Sequence, residues 1–228
     1  MVKLAMKILL TSDGLTNEAI KEALKSLVGK PLSETKVLFV TTAANTGTDD
    51  KRWLVNNIND FIKYGVGAID VLDFAGLPAN VFLPHFEKAD VICVGGGDER
   101  YLARMFATHN FAKLLPEWLE NKVYMGISAG SMALGRYLPA ELTAEIFIEE
   151  DFGNTEGEGL GFLPFAYVPH LNSSFFTLRK ERLEQMKDRF TVPVYATDDE
   201  TALMVVDGVV TKVGEGEFIH YKIVRLQP

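Results

Sequence analysis

The sequence predicts an α/β fold, a doubly wound and mostly parallel sheet between helices, ending in an antiparallel meander. Three observations carry that expectation. Short apolar, β-branched runs alternate with helix-length segments as far as about residue 130. The runs ILL, VLFV, VICV and VYMGI are continuously apolar, the pattern of strands covered on both faces. From about residue 160 the elements shorten into strands joined by tight turns.

Taken in order, MKILLTS (6–12) reads as a first strand and TNEAIKEALKSLV (16–28) as an amphipathic helix. KVLFVTTAA (36–44), AIDVLDF (68–74) and ADVICVGGG (89–97) are further strands, with a helix over DKRWLVNNINDFIKYG (50–65). One helical stretch, ERYLARMFATHNFAKLLPEWLEN (99–121), leads to the strand and turn KVYMGISAG (122–130). Right-handed crossovers join such strands into a parallel sheet. Later come AYVPHLN (166–172), VPVYATD (192–198), TALMVVDG (201–208), VVTKVG (209–214) and FIHYKIV (218–224). Asp207-Gly208 is a hairpin signal, and LRKERLEQMKDRF (178–190) an amphipathic helix. With no repeat, low-complexity tract or linker, residues 1–228 are expected to form one domain.

The bulk numbers exclude several classes. A chain of 228 residues, 47% hydrophobic and 24% charged, buries a sizeable core. A net charge of −8 disfavours nucleic acid and anionic membrane surfaces as partners. No apolar run reaches the roughly 18 residues that would predict a membrane span, and the start reads as a strand and not a signal peptide. A single cysteine, Cys93, leaves no internal disulfide and fits a cytoplasmic location. Without CxxC, HExxH or a histidine cluster, neither a metal nor another cofactor is expected.

In parallel sheets the chemistry gathers at the carboxyl ends of the strands, here after Val40, Val94 and Ile127. Gly126-Ile127-Ser128-Ala129-Gly130 joins an apolar strand to a short helical run, the setting of a nucleophile elbow. Side chains two residues either side of such a serine would collide with neighbouring strands, and the Ala129 N–H would face a developing oxyanion. Val94-Gly95-Gly96-Gly97 is not a dinucleotide fingerprint, because Arg100 stands where the third glycine is required. It offers instead an N–H from Gly97 or Gly96 to the same oxyanion. Of the four histidines, His85, His109 and His220 lie before a strand, within a helix and in the final meander. His170 ends a strand and is the candidate general base. Asp198, Asp199 and Glu200 follow another strand, and one of them can orient the ring. The order Ser, His, acid differs from that of α/β-hydrolases. Cys93, inside its strand, reads as core.

The ordered set VGGGDERYL, GISAGSMALG, YVPHLN, LRKERL and ATDDETALMVVDG resembles the aspartyl dipeptidase, or dipeptidase E, family and its cyanophycinase relatives. The resemblance implies a three-layer, flavodoxin-like fold of the class I glutamine amidotransferase kind, with serine in place of cysteine. It implies a serine exopeptidase that removes N-terminal Asp from short peptides. Ser128 then matches the nucleophile, His170 the base, Asp199 the acid, and Gly97 with Ala129 the oxyanion donors. Arg179 and Arg182 match arginines that would read the acidic side chain. A small peptide is the expected partner, with a homodimer as one oligomeric possibility. The sequence departs from the family at Asp98 and Glu99, where Asn and a small residue are usual. The interval between Ser128 and His170, EEDFGNTEGEGLGF included, is longer than in dipeptidases; Glu141 and Glu145 are its candidate acids. A cyanophycinase-like hydrolase of β-Asp-Arg linkages and a non-catalytic, amidotransferase-like binding protein are the rival readings.

Overall fold

The structure, a computed structural model, describes residues 6–149 and 157–223. Residues 150–156 of the long interval, and Val224 of the final strand segment, lie outside the described residues. Five strands run parallel: β1 (Lys7–Thr11), β2 (Lys36–Val40), β3 (Ala68–Leu72), β4 (Val91–Val94) and β5 (Val123–Ile127). An antiparallel hairpin, β8 (Ala202–Val206) with β9 (Val209–Val213), extends the sheet beside β1, giving the order β3-β2-β4-β5-β1-β8-β9. Asp207 and Gly208 take φ of 53° and 82°, the paired positive angles that a two-residue turn of this hand needs.

Alternation along the strands divides the core into two layers. Leu9, Val37, Phe39, Val91, Cys93 and Met125 face one side, packed with Leu24 of α1 (Glu18–Val28) and Phe61 of α2 (Arg52–Lys63). Ile8, Leu10, Leu38, Val40, Ile92 and Val94 face the other. There they meet α3 (Ala79–Lys88), α4 (Glu99–Thr108), α5 (Phe111–Leu119) and α6 (Ala129–Ala133). The helical stretch after the glycine triplet is thus two helices, because Asn110 turns into the left-handed region at φ 60°. Asn tolerates that angle better than most side chains. Burial in the sheet pushes the Cys93 thiol pKa upward, in keeping with a core residue.

The β8–β9 hairpin is antiparallel as expected of the C-terminal part, but the remaining strands leave the main sheet. β6 (Ala166–Val168) and β7 (Val194–Thr197) run parallel in a separate three-stranded sheet, and β10 (Phe218–Tyr221) leaves the hairpin to pair antiparallel with β7. Ala166, Tyr167, Val168, Val194 and Ala196 are buried in the same core layer as Ala129, Met132 and Ala133 of α6. The second sheet therefore rests beside the turn that carries Ser128. Two helices complete this part, α7 (Ala140–Ile146) and α8 (Arg179–Met186).

Candidate active site

The turn between β5 and α6 is shaped by backbone crowding. Ser128 sits at φ 50° and ψ −112°, outside the ordinary regions for a residue with a Cβ. Its N–H donates to the Thr11 carbonyl at 2.9 Å, across the register pair Thr11–Ile127. A Cβ on Gly126 would meet the backbone of Ser131, and one on Gly130 the carbonyl of Val94. The two glycines of G-x-S-x-G are thus required by close approach. Ser131 locks the turn to β1, accepting from Thr11 N at 3.0 Å and donating to Thr11 O at 2.8 Å. The Ala129 N–H is among the first of α6, where donors have no intrahelical acceptor.

The glycine triplet lies alongside. Gly97 has φ 127° and would drive a Cβ into the Ala43 carbonyl, so only glycine fits. A Cβ on Gly96 would stand 3.3 Å from Ser128 Cβ and 3.6 Å from Trp53 Cζ3, so Ser128 and the Trp53 ring both flank Gly96. Asp98 caps α4, its Oδ1 accepting from Tyr101 N at 2.8 Å. Glu99 is buried, 3.6 Å from the buried Arg100. Arg100 in turn donates to the Gly157 and Leu138 carbonyls and covers the Tyr137 ring. The two unusual acids are thus engaged in capping and ion pairing around α4.

His170 is held by bonds from distant parts of the chain. It follows β6, as Asp199 follows β7, and the parallel register Val168–Ala196 brings both residues off the same end of the second sheet. His170 Nδ1 lies 2.6 Å from Asp199 Oδ1, with the two side chains 15% and 30% exposed. Of the three consecutive acids, Asp199 alone takes this position. Asp198 accepts from the N–H groups of Glu200 and Glu217, and Glu200 accepts from Asn17. His170 adopts φ 62°, a second strained side-chain-bearing residue at the site. Its N–H donates to Ser12 Oγ at 3.0 Å, and Leu171 N donates to Thr197 O at 3.0 Å. Ser12 Oγ is fully buried, donating to the Thr197 carbonyl within a group that includes Tyr167 Oη and Thr197 Oγ1. Burial pushes the Tyr167 hydroxyl pKa well up, keeping it a neutral hydrogen-bonding group.

The two candidate arginines separate. Arg179 has no exposed surface; its guanidinium lies 4.0 Å from the Phe147 ring and 4.7 Å from that of Phe176, and Nη1 donates to Pro169 O at 2.9 Å. It holds the peptide that enters His170. Arg182, three residues on, keeps partial solvent access. Of the two candidate acids of the long interval, Glu145 pairs with Arg189 at 2.8 Å and Glu141 lies in the first turn of α7. The other histidines are engaged elsewhere: His85 with Asp70, His109 against Phe74 and Phe82, and His220 stacked on Tyr195.

The sequence reading missed the end of β1. Thr11 receives the Ser128 N–H, Ser12 receives that of His170, and Thr16 Oγ1 donates to Asp199 O at 2.8 Å. One six-residue stretch therefore ties the serine, histidine and acid together. The available signal was position: TSDG ends a buried strand at the same edge of the sheet as the other turns.

A strained serine on a strand–turn–helix, a glycine turn next to it and a histidine–carboxylate pair tied to the same strand end mark out the candidate site of a doubly wound α/β protein. The family model described as peptidase family S51 matches residues 8–213, and the chain belongs to that family. Two curated relatives, the peptidase E proteins of Haemophilus influenzae strains PittGG and ATCC 51907, are 29% and 28% identical over 140 and 139 residues. Each alignment covers 58% of this chain, and spans 58% and 62% of the two relatives. Among solved structures, a candidate peptidase E from Listeria monocytogenes EGD-e matches with a TM-score of 0.73 at 18% identity, covering 93% of this chain and 100% of its own. A peptidase from an acI-B1 Actinobacterium matches with a TM-score of 0.65 at 21% identity, covering 94% and 96%. At these identities the two structures establish the shared fold. No helix among the described residues is long and apolar enough to cross a membrane.

Proposed function

We propose that this chain is a serine exopeptidase that cleaves short peptides, dipeptides with N-terminal Asp foremost, through an acyl-enzyme. The observation that carries the reading is the attachment of Ser128 and the His170–Asp199 pair to consecutive residues of one strand end. In the proposed cycle, Asp199 fixes the ring through Nδ1, so that Nε2 accepts the Ser128 proton as Oγ attacks the scissile carbonyl. His170 passes that proton to the leaving amine, which departs with the electrons of the broken C–N bond. Water then repeats the sequence and releases the acid. The N–H groups of Gly97 and Ala129 stabilise the oxyanion, an interaction worth roughly 3–4 kcal/mol per donor.

For the acidic side chain, Arg182 is the cation with solvent access, whereas Arg179 acts from behind Phe147 and Phe176. The chemistry requires no cofactor. The reading includes a cytoplasmic location, and sedimentation of the purified chain separates monomer from homodimer.

A hydrolysis panel of Xaa-Leu dipeptides, blocked and longer Asp peptides, and cyanophycin tests it. The expected result is cleavage of Asp-Leu above its neutral counterparts, lost in Ser128→Ala and weakened in KM by Arg182→Ala. Equal turnover by Ser128→Ala rejects the serine mechanism, whereas preference for cyanophycin moves the substrate to β-Asp-Arg linkages.

A further inference from the structure

The loop after β1 brings another carboxylate to the site, one for which the acyl-transfer steps have no use. Asp13 follows Ser12, whose Oγ holds the His170 N–H. Asn57 of α2 grips Asp13 twice, Nδ2 donating to its carbonyl at 3.2 Å and to Oδ1 at 3.1 Å. No hydrogen bond to Oδ2 is made among the described residues. The neighbouring acids are otherwise employed: Asp199 on His170, Asp198 on the turn, Glu200 on Asn17 and Asp98 on the α4 cap.

The residue after Asp13 packs against the serine turn: a Cβ on Gly14 would stand 3.2 Å from Ile127 Cδ1 and 3.5 Å from Asn57 Nδ2. Trp53, four residues before Asn57 on the same face of α2, brings its ring to Gly96, which Ser128 also flanks. In a peptide with its scissile carbonyl at Ser128, the α-nitrogen is one carbon removed from that carbonyl. A hydrogen bond from this nitrogen ends about 5 Å from the carbonyl carbon, so the group that receives it belongs to a turn adjoining Ser128, as the Ser12–Gly14 turn does through His170 and Ile127.

We propose that Asp13 binds the free α-ammonium group of the peptide substrate and so sets a requirement for an unblocked N-terminus. The proposal rests on the serine-exopeptidase reading. An ammonium offers three N–H donors, and a partly buried carboxylate with one oxygen already fixed is pre-organised to receive them. Burial raises the Asp13 pKa above the usual carboxylate range, against the hydrogen bond from Asn57, which lowers it. A bound cation offsets that cost, which water does only in part.

The test compares Asp-Leu with N-acetyl-Asp-Leu for the parent, Asp13→Asn and Asn57→Ala, with fluorophosphonate labelling of Ser128 measured on each. The parent is expected to prefer the free amine. Asp13→Asn should lose about 30-fold in kcat/KM on Asp-Leu, chiefly through KM, and most of that preference, while still labelling. Asn57→Ala, which releases the carboxylate but keeps its charge, should lose about 5-fold. An Asp13→Asn protein that labels and retains the parent's preference overturns the proposal alone. Loss of labelling together with hydrolysis also overturns it, since Asp13 would then act through His170. A parent that neither labels nor hydrolyses overturns the exopeptidase reading, and this inference with it.

Discussion

The two halves of the candidate site are built by opposite means. The serine half is fixed by backbone against backbone, with Gly97, Gly126 and Gly130 each standing where a Cβ would meet a neighbouring main chain. The histidine half is fixed by side chains reaching across the fold, from Ser12, Arg179 and Asp199 to the Pro169–Leu171 segment and its ring. Both halves carry a non-glycine residue at positive φ, Ser128 at 50° and His170 at 62°, and both are anchored on the end of β1. Around Ser128, glycine-only close approach adds to the hydrogen bonds on Thr11, whereas the bonds that hold His170 and its ring come from distant side chains. Substitutions should therefore break the first half by unfolding it and the second by misaiming it.

The largest expected effect is on the imidazole. Asp199→Asn should lower kcat on the order of 10⁴-fold while leaving the melting temperature within a few degrees, because tautomer and orientation are lost without a packing change. A loss below tenfold would remove Asp199 from the mechanism. In the serine half, Gly130→Ala should destabilise the fold by roughly 3 kcal/mol, read as a lower denaturant midpoint, since its methyl would enter the Val94 carbonyl. Unchanged stability would mean that the elbow has room to give. Arg179→Met keeps much of the bulk between Phe147 and Phe176 but removes the bond to Pro169. It should cost roughly 10- to 100-fold in kcat, with KM for neutral and acidic dipeptides moving equally. A loss confined to acidic peptides would return Arg179 to substrate recognition.

The smallest effect concerns stability and pH. Burial raises the Asp13 pKa from its ordinary 3.8, so the folded state binds this proton more tightly than the unfolded chain does. The group's contribution to stability then falls as pH rises through the window between the unfolded and the higher folded pKa. Asp13→Asn removes that loss and should raise the melting temperature at neutral pH by about 1–2 °C, with no gain at pH 3. A lower melting temperature at pH 7 would show that Asp13 is held for stability and not for binding.

How legible each half was in the sequence follows from the same contrast. Backbone crowding leaves glycines at fixed offsets, so GISAG and VGGG announced their turns, and continuous apolar runs announced the strands beneath them. His170 was reached by elimination among four histidines. Its support was not legible, because Ser12 and Thr197 are ordinary residues whose value lies in meeting His170 and Leu171 at sequence separations of 158 and 26. Arg179 was read with Arg182 as a cation for the substrate, and its burial was not legible because helical spacing alone does not say which face the segment carrying Phe147 covers. The second sheet was hidden for a similar reason: β6, β7 and β10 have the same alternation whether they extend the first sheet or form their own.

The central claim is that Ser128 is a nucleophile activated by His170. Stoichiometric labelling by a serine-directed fluorophosphonate, with the modified residue mapped by mass spectrometry, tests it most directly. The account predicts one label per chain on Ser128, slowed at least about 100-fold in His170→Ala. A folded parent that takes no label, or takes it at the same rate without His170, would contradict it.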